Sequence, residues 1–277
     1  MSSDVFADQQ EIRCRKNLKS SKLVVVKIGS SSLSNPSGLL DMGKIDSLCT
    51  EIVKLKSRGV DVVLVSSGAI RAGRSVMQEP GKNSEIQGLQ ALAAVGQVVL
   101  MEAYRDVMAK KGNKVAQILL TWDDFRNKRR LRNLLNTLNS LLSLGVVPII
   151  NENDTTAVEE IKFGDNDTLS AFVAKFMQAD LLVLLSDING LYTGDPNIPG
   201  SKLLTYVEEV TPEVEKLVCE RHEGAGGMTT KLKAAKLATE AGIPMVIANT
   251  SEDRPLVRIL DGESLGTLFM PRDLDEQ

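Results

Sequence analysis

Two clusters of acids and amides, separated by a short polar stretch, carry the residue types most able to do chemistry in this chain. Asn151-Glu152-Asn153-Asp154 directly follows the apolar run Val146-Val147-Pro148-Ile149-Ile150. Gly164-Asp165-Asn166-Asp167 leads into an apolar helical pattern, Leu169, Phe172, Val173 and Phe176. The first cluster is therefore expected at a strand end and the second at a helix start. Open α/β sheets bind ligands in the crevice at the carboxyl ends of their strands. Carboxylates mixed with amides offer charge together with donors and acceptors. That mixture suits an ammonium group, a hydroxyl or a metal-bound phosphate.

Three small-residue turns supply places for an anion. Lys27-Ile28-Gly29-Ser30-Ser31-Ser32 joins a positive charge to backbone N–H groups that can approach phosphate closely. Ser66-Ser67-Gly68-Ala69-Ile70 opens a second helix start toward the same crevice. Gly224-Ala225-Gly226-Gly227-Met228-Thr229-Thr230-Lys231 puts a lysine in the first turn of a helix. The macrodipole disfavours a cation there, and an anionic ligand would account for it. Neither G-x-x-x-x-G-K-[ST] nor G-x-G-x-x-G is present, and each turn alone is equally an ordinary βα connection. Lysines from opposite ends of the chain, amide-rich turns and acids between them together point to phosphoryl transfer. That reaction needs charge neutralised and reactants aligned, with little covalent help from protein.

The elements that must position these residues alternate along the chain. Apolar runs at 23–28, 62–65, 115–120, 146–150 and 181–185 read as strands, with shorter ones at 245–248 and 266–269. Helical patterns cover 41–58, 84–111 (Ser84 as N-cap), 121–145 (Thr121 as cap, Asp123 and Asp124 at the positive end), a stretch after Asn166, 211–221 and 229–241. Strand–helix alternation with continuously apolar strands predicts an α/β fold with a mainly parallel sheet covered by helices on both faces. No linker divides the chain, so 22–277 is expected to be one domain of two lobes, preceded by a mobile tail at 1–21.

Composition narrows the function classes. With 43% apolar and 25% charged residues the chain is of ordinary globular composition. No run approaches about 18 uninterrupted apolar residues, so no membrane span is expected. A net charge of -3 gives no general attraction to nucleic acid or acidic membranes. The basic run Arg126, Lys128, Arg129, Arg130, Arg132 sits in a helical pattern beside Asp123 and Asp124 and reads as a solvated, salt-bridged face. Cys14, Cys49 and Cys219 are scattered, fitting reduced thiols in a cytoplasmic protein rather than a zinc or disulfide framework. His222 is the only histidine, which removes histidine-based hydrolase triads and imidazole-rich metal sites.

The motifs VVVKIGSSSL (24–33), VSSGAIRAG (65–73), LAAVGQ (92–97), PIINEND (148–154), FGDNDTLSA (163–171), LLSDINGLYTGDP (184–196) and GGMTTKLKAA (226–235) resemble those of the amino acid kinase superfamily. Within it the chain is most similar to the glutamate 5-kinases. The resemblance implies a three-layer αβα sandwich with an N-terminal acceptor lobe and a C-terminal nucleotide lobe. It implies transfer of the ATP γ-phosphoryl to the side-chain carboxylate of L-glutamate, the first step of proline synthesis. Lys27 and Lys231 would stabilise the transferring group, and Asp167 would organise them. Ser67, Asp154 and Asn166 would hold glutamate. Lys27, Ser186, Asp187 and the loop Ala225, Gly226, Gly227, Met228, Thr229, Thr230, Lys231 would contact ATP. Mg²⁺ would be held largely by the phosphates. A homo-oligomer, dimer or tetramer, and feedback by proline are also implied. Two departures stand out: the chain stops before the RNA-modification-type (PUA) domain of many relatives, and Ala225 stands where relatives often have threonine. The alternatives are an aspartate, acetylglutamate or carbamate acceptor, or a non-catalytic metabolite sensor on the same scaffold.

Overall fold

The computed structural model describes residues 2–77, 85–156, 166–219 and 227–271. Strands β1 (Leu23–Ile28), β2 (Asp61–Ser66), β3 (Val115–Leu120), β4 (Val147–Glu152), β5 (Leu181–Ser186), β6 (Tyr206–Val207), β7 (Met245–Asn249) and β8 (Thr267–Phe269) form one sheet. Their order is β3-β4-β2-β1-β5-β7-β8-β6. All these pairings are parallel except β7 with β8. From β1 the chain pairs outward to β2 on one side and β5 on the other. Their carboxyl ends therefore flank the switch point where ligands bind in such sheets.

The strands are buried on both faces, and residue parity decides which core each side chain joins. Val24, Val26 and Ile28 of β1 pack with Leu181, Val183 and Leu185 of β5 in one core. That core is covered by α2 (Met42–Ser57), α4 (Ile86–Lys110) and α10 (Pro255–Leu260). Val25 of β1 packs with Leu182 and Leu184 in the other core. That core is covered by α6 (Lys128–Ser143), α7 (Asn166–Met177) and α9 (Met228–Glu240), and Phe125 of α5 (Trp122–Arg126) joins it. The layers are those of an αβα sandwich. By the same parity Lys27 faces the α7–α9 layer, whereas Ser66 and Asn151 face α4.

Helix α4 is long and apolar enough to cross a membrane by composition, yet Leu92, Leu100, Tyr104 and Met108 bury one of its faces in the protein. It meets α3 (Ala69–Met77) at two glycines. A Cβ on Gly96 would lie 1.8 Å from the Ala69 carbonyl oxygen, and one on Gly73 1.9 Å from that of Leu92. Backbone cannot yield as a flexible side chain can, so Gly96→Ala should cost about 3 kcal/mol. Urea unfolding measures this, and a midpoint equal to wild type would show that the helices can part freely.

Two expectations change. The pattern at 121–145 is two helices rather than one. Thr121 caps α5 as expected, in a capping box with Asp124, but Asn127 ends α5 and caps α6, accepting from the N–H groups of Arg129 and Arg130 at 3.0 and 3.2 Å. Asparagine competes well for free N–H groups and so starts a new helix within a leucine-rich pattern. The segment expected as a mobile tail forms α1 (Ser2–Asn17), anchored by Arg15, which is 1% exposed. Its guanidinium donates to the carbonyl oxygens of Thr205 (2.6 Å), Leu265 (3.0 Å) and Gly266 (3.1 Å) and pairs with Glu11 (2.6 Å). The expected cap Ser84 lies outside the described residues.

Glu51 of α2 lines a cleft of about 910 Å³ between α2 and α10 and accepts the Val257 N–H at 3.1 Å. Burial pushes its pKa from 4.5 up to about 7, against the pull of the Val257 and Leu256 N–H groups. A raised carboxyl pKa means its stabilising contribution is full below about pH 4.5 and is lost as pH rises through about 7. Glu51→Gln keeps an acceptor and cannot ionise. It should match wild type at pH 5 and exceed it by about 2 kcal/mol at pH 8. Thermal melts at the two pH values check this, and a pH-independent difference would contradict it.

Candidate active site

Lys27 sits near the end of β1, Asp167 in the first turn of α7 and Lys231 in the first turn of α9. The three are buried together, at 7%, 1% and 5% exposure. One Asp167 carboxylate oxygen meets Lys27 Nζ, and the other lies 3.2 Å from Lys231 Nζ. Thr230 Oγ1 lies 2.8 Å from that second oxygen and 2.9 Å from the Gly227 carbonyl oxygen, so its proton can serve either. Burial pushes the Asp167 carboxyl up, but the ammonium groups of Lys27 and Lys231 outweigh it and hold the pKa below the usual 3.8. The carboxylate is ionised and fixes two cations that start more than two hundred residues apart in sequence.

Asn166 carries a second network from the adjacent position. Its side-chain amide donates to Ser67 Oγ at 2.7 Å and Asn151 Oδ1 at 3.0 Å. Asn151 in turn donates to Gln97 Oε1 of α4 at 2.8 Å. Asn166 Oδ1 is buried with no hydrogen-bond partner among the described residues. Because Asn166 and Asp167 are consecutive, the start of α7 carries one residue of each network.

The third part lies at the end of β5, next to β1. Ser186 Oγ donates to Asp187 Oδ1 at 3.1 Å. The end of β7 holds this turn from beside it. Thr250 N–H donates to Ser186 O at 2.8 Å, and Asn249 Nδ2 donates to Asn189 Oδ1 at 2.8 Å. Gly29 N–H donates to Leu185 O at 3.3 Å, bringing the Lys27 turn against it. A Cβ on Gly29 would lie 3.8 Å from Lys27 Nζ.

The structure thus joins Lys27, Asp167, Lys231 and Thr230 in one cluster and Ser67 and Asn166 in a second. Ser186 and Asp187 stand at the neighbouring strand end. Asp154 is half-buried in the turn after β4, and Gly227 caps α9. Met228 packs against the second core, whereas Thr229 is exposed. Ala225, Gly226, His222, Gly164 and Asp165 lie outside the described residues. The α2–α10 cleft includes none of Lys27, Asp167 or Lys231. Sequence reasoning gave no role to Gln97, or to Asn151 as a bridge. The parity of Asn151 with Ile149, which points it at α4, was the available signal.

Residues 22–249 match the amino acid kinase family. A glutamate 5-kinase of Clostridium acetobutylicum is 48% identical over 93% of this chain and 98% of its own length. One from Geobacter sp. strain M21 is 46% identical over 92% of this chain and 69% of its own. A carbamate kinase from Giardia lamblia, solved bound to AMP-PNP, superposes with a TM-score of 0.67 at 17% identity, covering 91% of this chain and 99% of that one. A UMP kinase from Bacillus anthracis gives 0.63, also at 17% identity, covering 91% of this chain and 97% of that one. Those two likenesses establish the shared fold. The motif-bearing strand ends and the extent of identity together place this chain in the amino acid kinase family, among the glutamate 5-kinases.

Proposed function

We propose that this chain transfers the γ-phosphoryl group of ATP to the side-chain carboxylate of L-glutamate, giving γ-glutamyl phosphate and ADP, the first step of proline synthesis. A carboxylate oxygen forms a bond to the γ-phosphorus. The bond from that phosphorus to the β–γ bridging oxygen breaks, and its electron pair leaves on ADP. The nucleophile is already ionised at neutral pH, so no general base is required. A chain with a single histidine is thereby equipped for the reaction.

The observation that carries this proposal is the Asp167 carboxylate gripping both lysines. Two fixed ammonium groups in a buried site can neutralise charge that spreads over the phosphoryl oxygens, with no reorganisation needed during the step. Ser67 and Asn166, with Asp154 for the α-ammonium, would hold glutamate. Asn166 Oδ1, buried with no hydrogen-bond partner among the described residues, supports a ligand donor there. Ser186, Asp187 and the α9 start would hold ATP. Among the described residues no three of His, Cys, Asp or Glu are grouped for a metal. Mg²⁺ would accompany the ATP phosphates with few protein ligands and add positive charge there.

The test is ADP release with ATP, Mg²⁺ and L-glutamate, with hydroxylamine present to trap the acyl phosphate. γ-Glutamyl hydroxamate is the expected product. Trapping with aspartate but not glutamate would overturn the acceptor. No product with any acceptor, from folded and ATP-binding protein, would overturn the activity.

A further inference from the structure

Thr267 of β8 lies far from both lysines in sequence and belongs to neither polar cluster, yet its hydroxyl bridges three segments. It is 0% exposed. Its Oγ1 accepts the Leu191 N–H at 2.8 Å and donates to the Leu204 carbonyl oxygen at 2.5 Å. Leu204 N–H also donates to Leu191 O at 2.8 Å, and Tyr192 bridges Leu203. Residues 191–204 therefore leave and return at a neck that the threonine hydroxyl closes. That excursion begins directly after Ser186-Asp187-Ile188-Asn189-Gly190. Gly190 has φ +150°, and a Cβ on it would lie 2.3 Å from Thr267 Oγ1. The backbone just beyond Asp187 is thus pressed against the hydroxyl.

The support continues to the amino-terminal helix. Leu265 and Gly266, just before Thr267, give their carbonyl oxygens to the Arg15 guanidinium, as does Thr205, just after Leu204. The strand start and the returning arm of the neck are both held by one buried cation.

We propose that Thr267 is a positioning residue for the nucleotide. Its hydroxyl fixes the chain at Leu191, just past the 186–190 turn, while Thr250 fixes Ser186 at its start and Asn249 holds Asn189 between them, and Arg15 fixes Thr267 in turn. The proposal rests on ATP lying against Ser186 and Asp187, as proposed above. A loosened neck lets that turn drift and weakens ATP binding. The Ser67–Asn166–Asn151 network has no bond to the neck and keeps its geometry.

The test is the Michaelis constant for each substrate, from hydroxamate formation, in Thr267→Val, Thr267→Ser, Arg15→Lys and Asp187→Ala. Thr267→Val keeps the shape and removes both hydrogen bonds, so KM for ATP should rise about tenfold. KM for glutamate should stay within about twofold of wild type, and Thr267→Ser should restore the ATP value. Wild-type KM for ATP in Thr267→Val would overturn the proposal, as would equal losses for both substrates that serine fails to rescue. Should the valine variant fail to fold, Arg15→Lys decides. Lysine keeps the charge but lacks the guanidinium fork, so KM for ATP should rise about threefold, and an unchanged value overturns the proposal. Asp187→Ala separates the two levels. If it raises KM for ATP while Thr267→Val and Arg15→Lys do not, only the positioning role falls. If it leaves KM for ATP unchanged, the placement of ATP falls.

Discussion

Lys231→Ala is expected to lower kcat by about 10²–10³ while glutamate binding, measured by calorimetry, stays within about threefold of wild type. The split follows from where the lysine stands. Its ammonium touches the Asp167 carboxylate at 3.2 Å, on the side that would receive the transferring phosphoryl group. The bonds proposed to orient glutamate run through Asn166, Ser67 and Asn151. Interactions made mainly in the transition state show up in kcat, whereas shared binding shows up in KM. Turnover equal to wild type would remove Lys231 from the reaction. Parallel loss of glutamate binding would mean that the two networks are one.

Asp167→Asn should do more, lowering kcat by at least about 10³ and costing about 3–5 kcal/mol of stability. The side chain keeps its shape, so packing is not the cause. Its charge is lost between two ammonium groups that have almost no access to water, and removing one side of a buried ion pair leaves the other uncompensated. Wild type shows the size of the opposing effects, because the two lysines overcome the burial penalty and lower the carboxyl pKa. With the folded pKa depressed, this contribution is present above about pH 3.8 and is lost as pH falls through the lower folded value. Urea unfolding at pH 7, run beside the hydroxamate assay, separates the two losses. A stable, inactive variant would assign Asp167 to catalysis alone, and an active one would refute the lysine-organising role.

Much of this was readable from residues. Each of the longer parallel strands is a short apolar run ended by a turn, so most of the sheet and both helix layers follow from periodicity. Lys27 sits at such an end, and Asp167 at the start of an apolar helical pattern. What could not be read was made by partners distant in sequence. Gln97 occupies one position of an apolar helical pattern, and only the fold sets it 2.8 Å from Asn151. Arg15 binds backbone carbonyls, which leave no mark in side-chain pattern, so its segment looked like a polar tail. The two-residue β6 is too short to show a period, whereas β8 falls within the run read at 266–269. The break at Asn127 is written in one asparagine, hidden by leucines that continue on either side. Residues 157–165 and 220–226, which hold part of both glycine motifs, lie outside the described residues.

Arg15 also sets a timetable for synthesis. Its carbonyl partner Gly266 is made 251 residues later. At about 5–20 residues per second, roughly 13–50 s pass on the ribosome before that partner exists. Until then the arginine has no buried site to enter, and α1 waits as a solvated segment. Helix α1 therefore docks only after the start of β8 has been made, and its docking signals that this strand is in place.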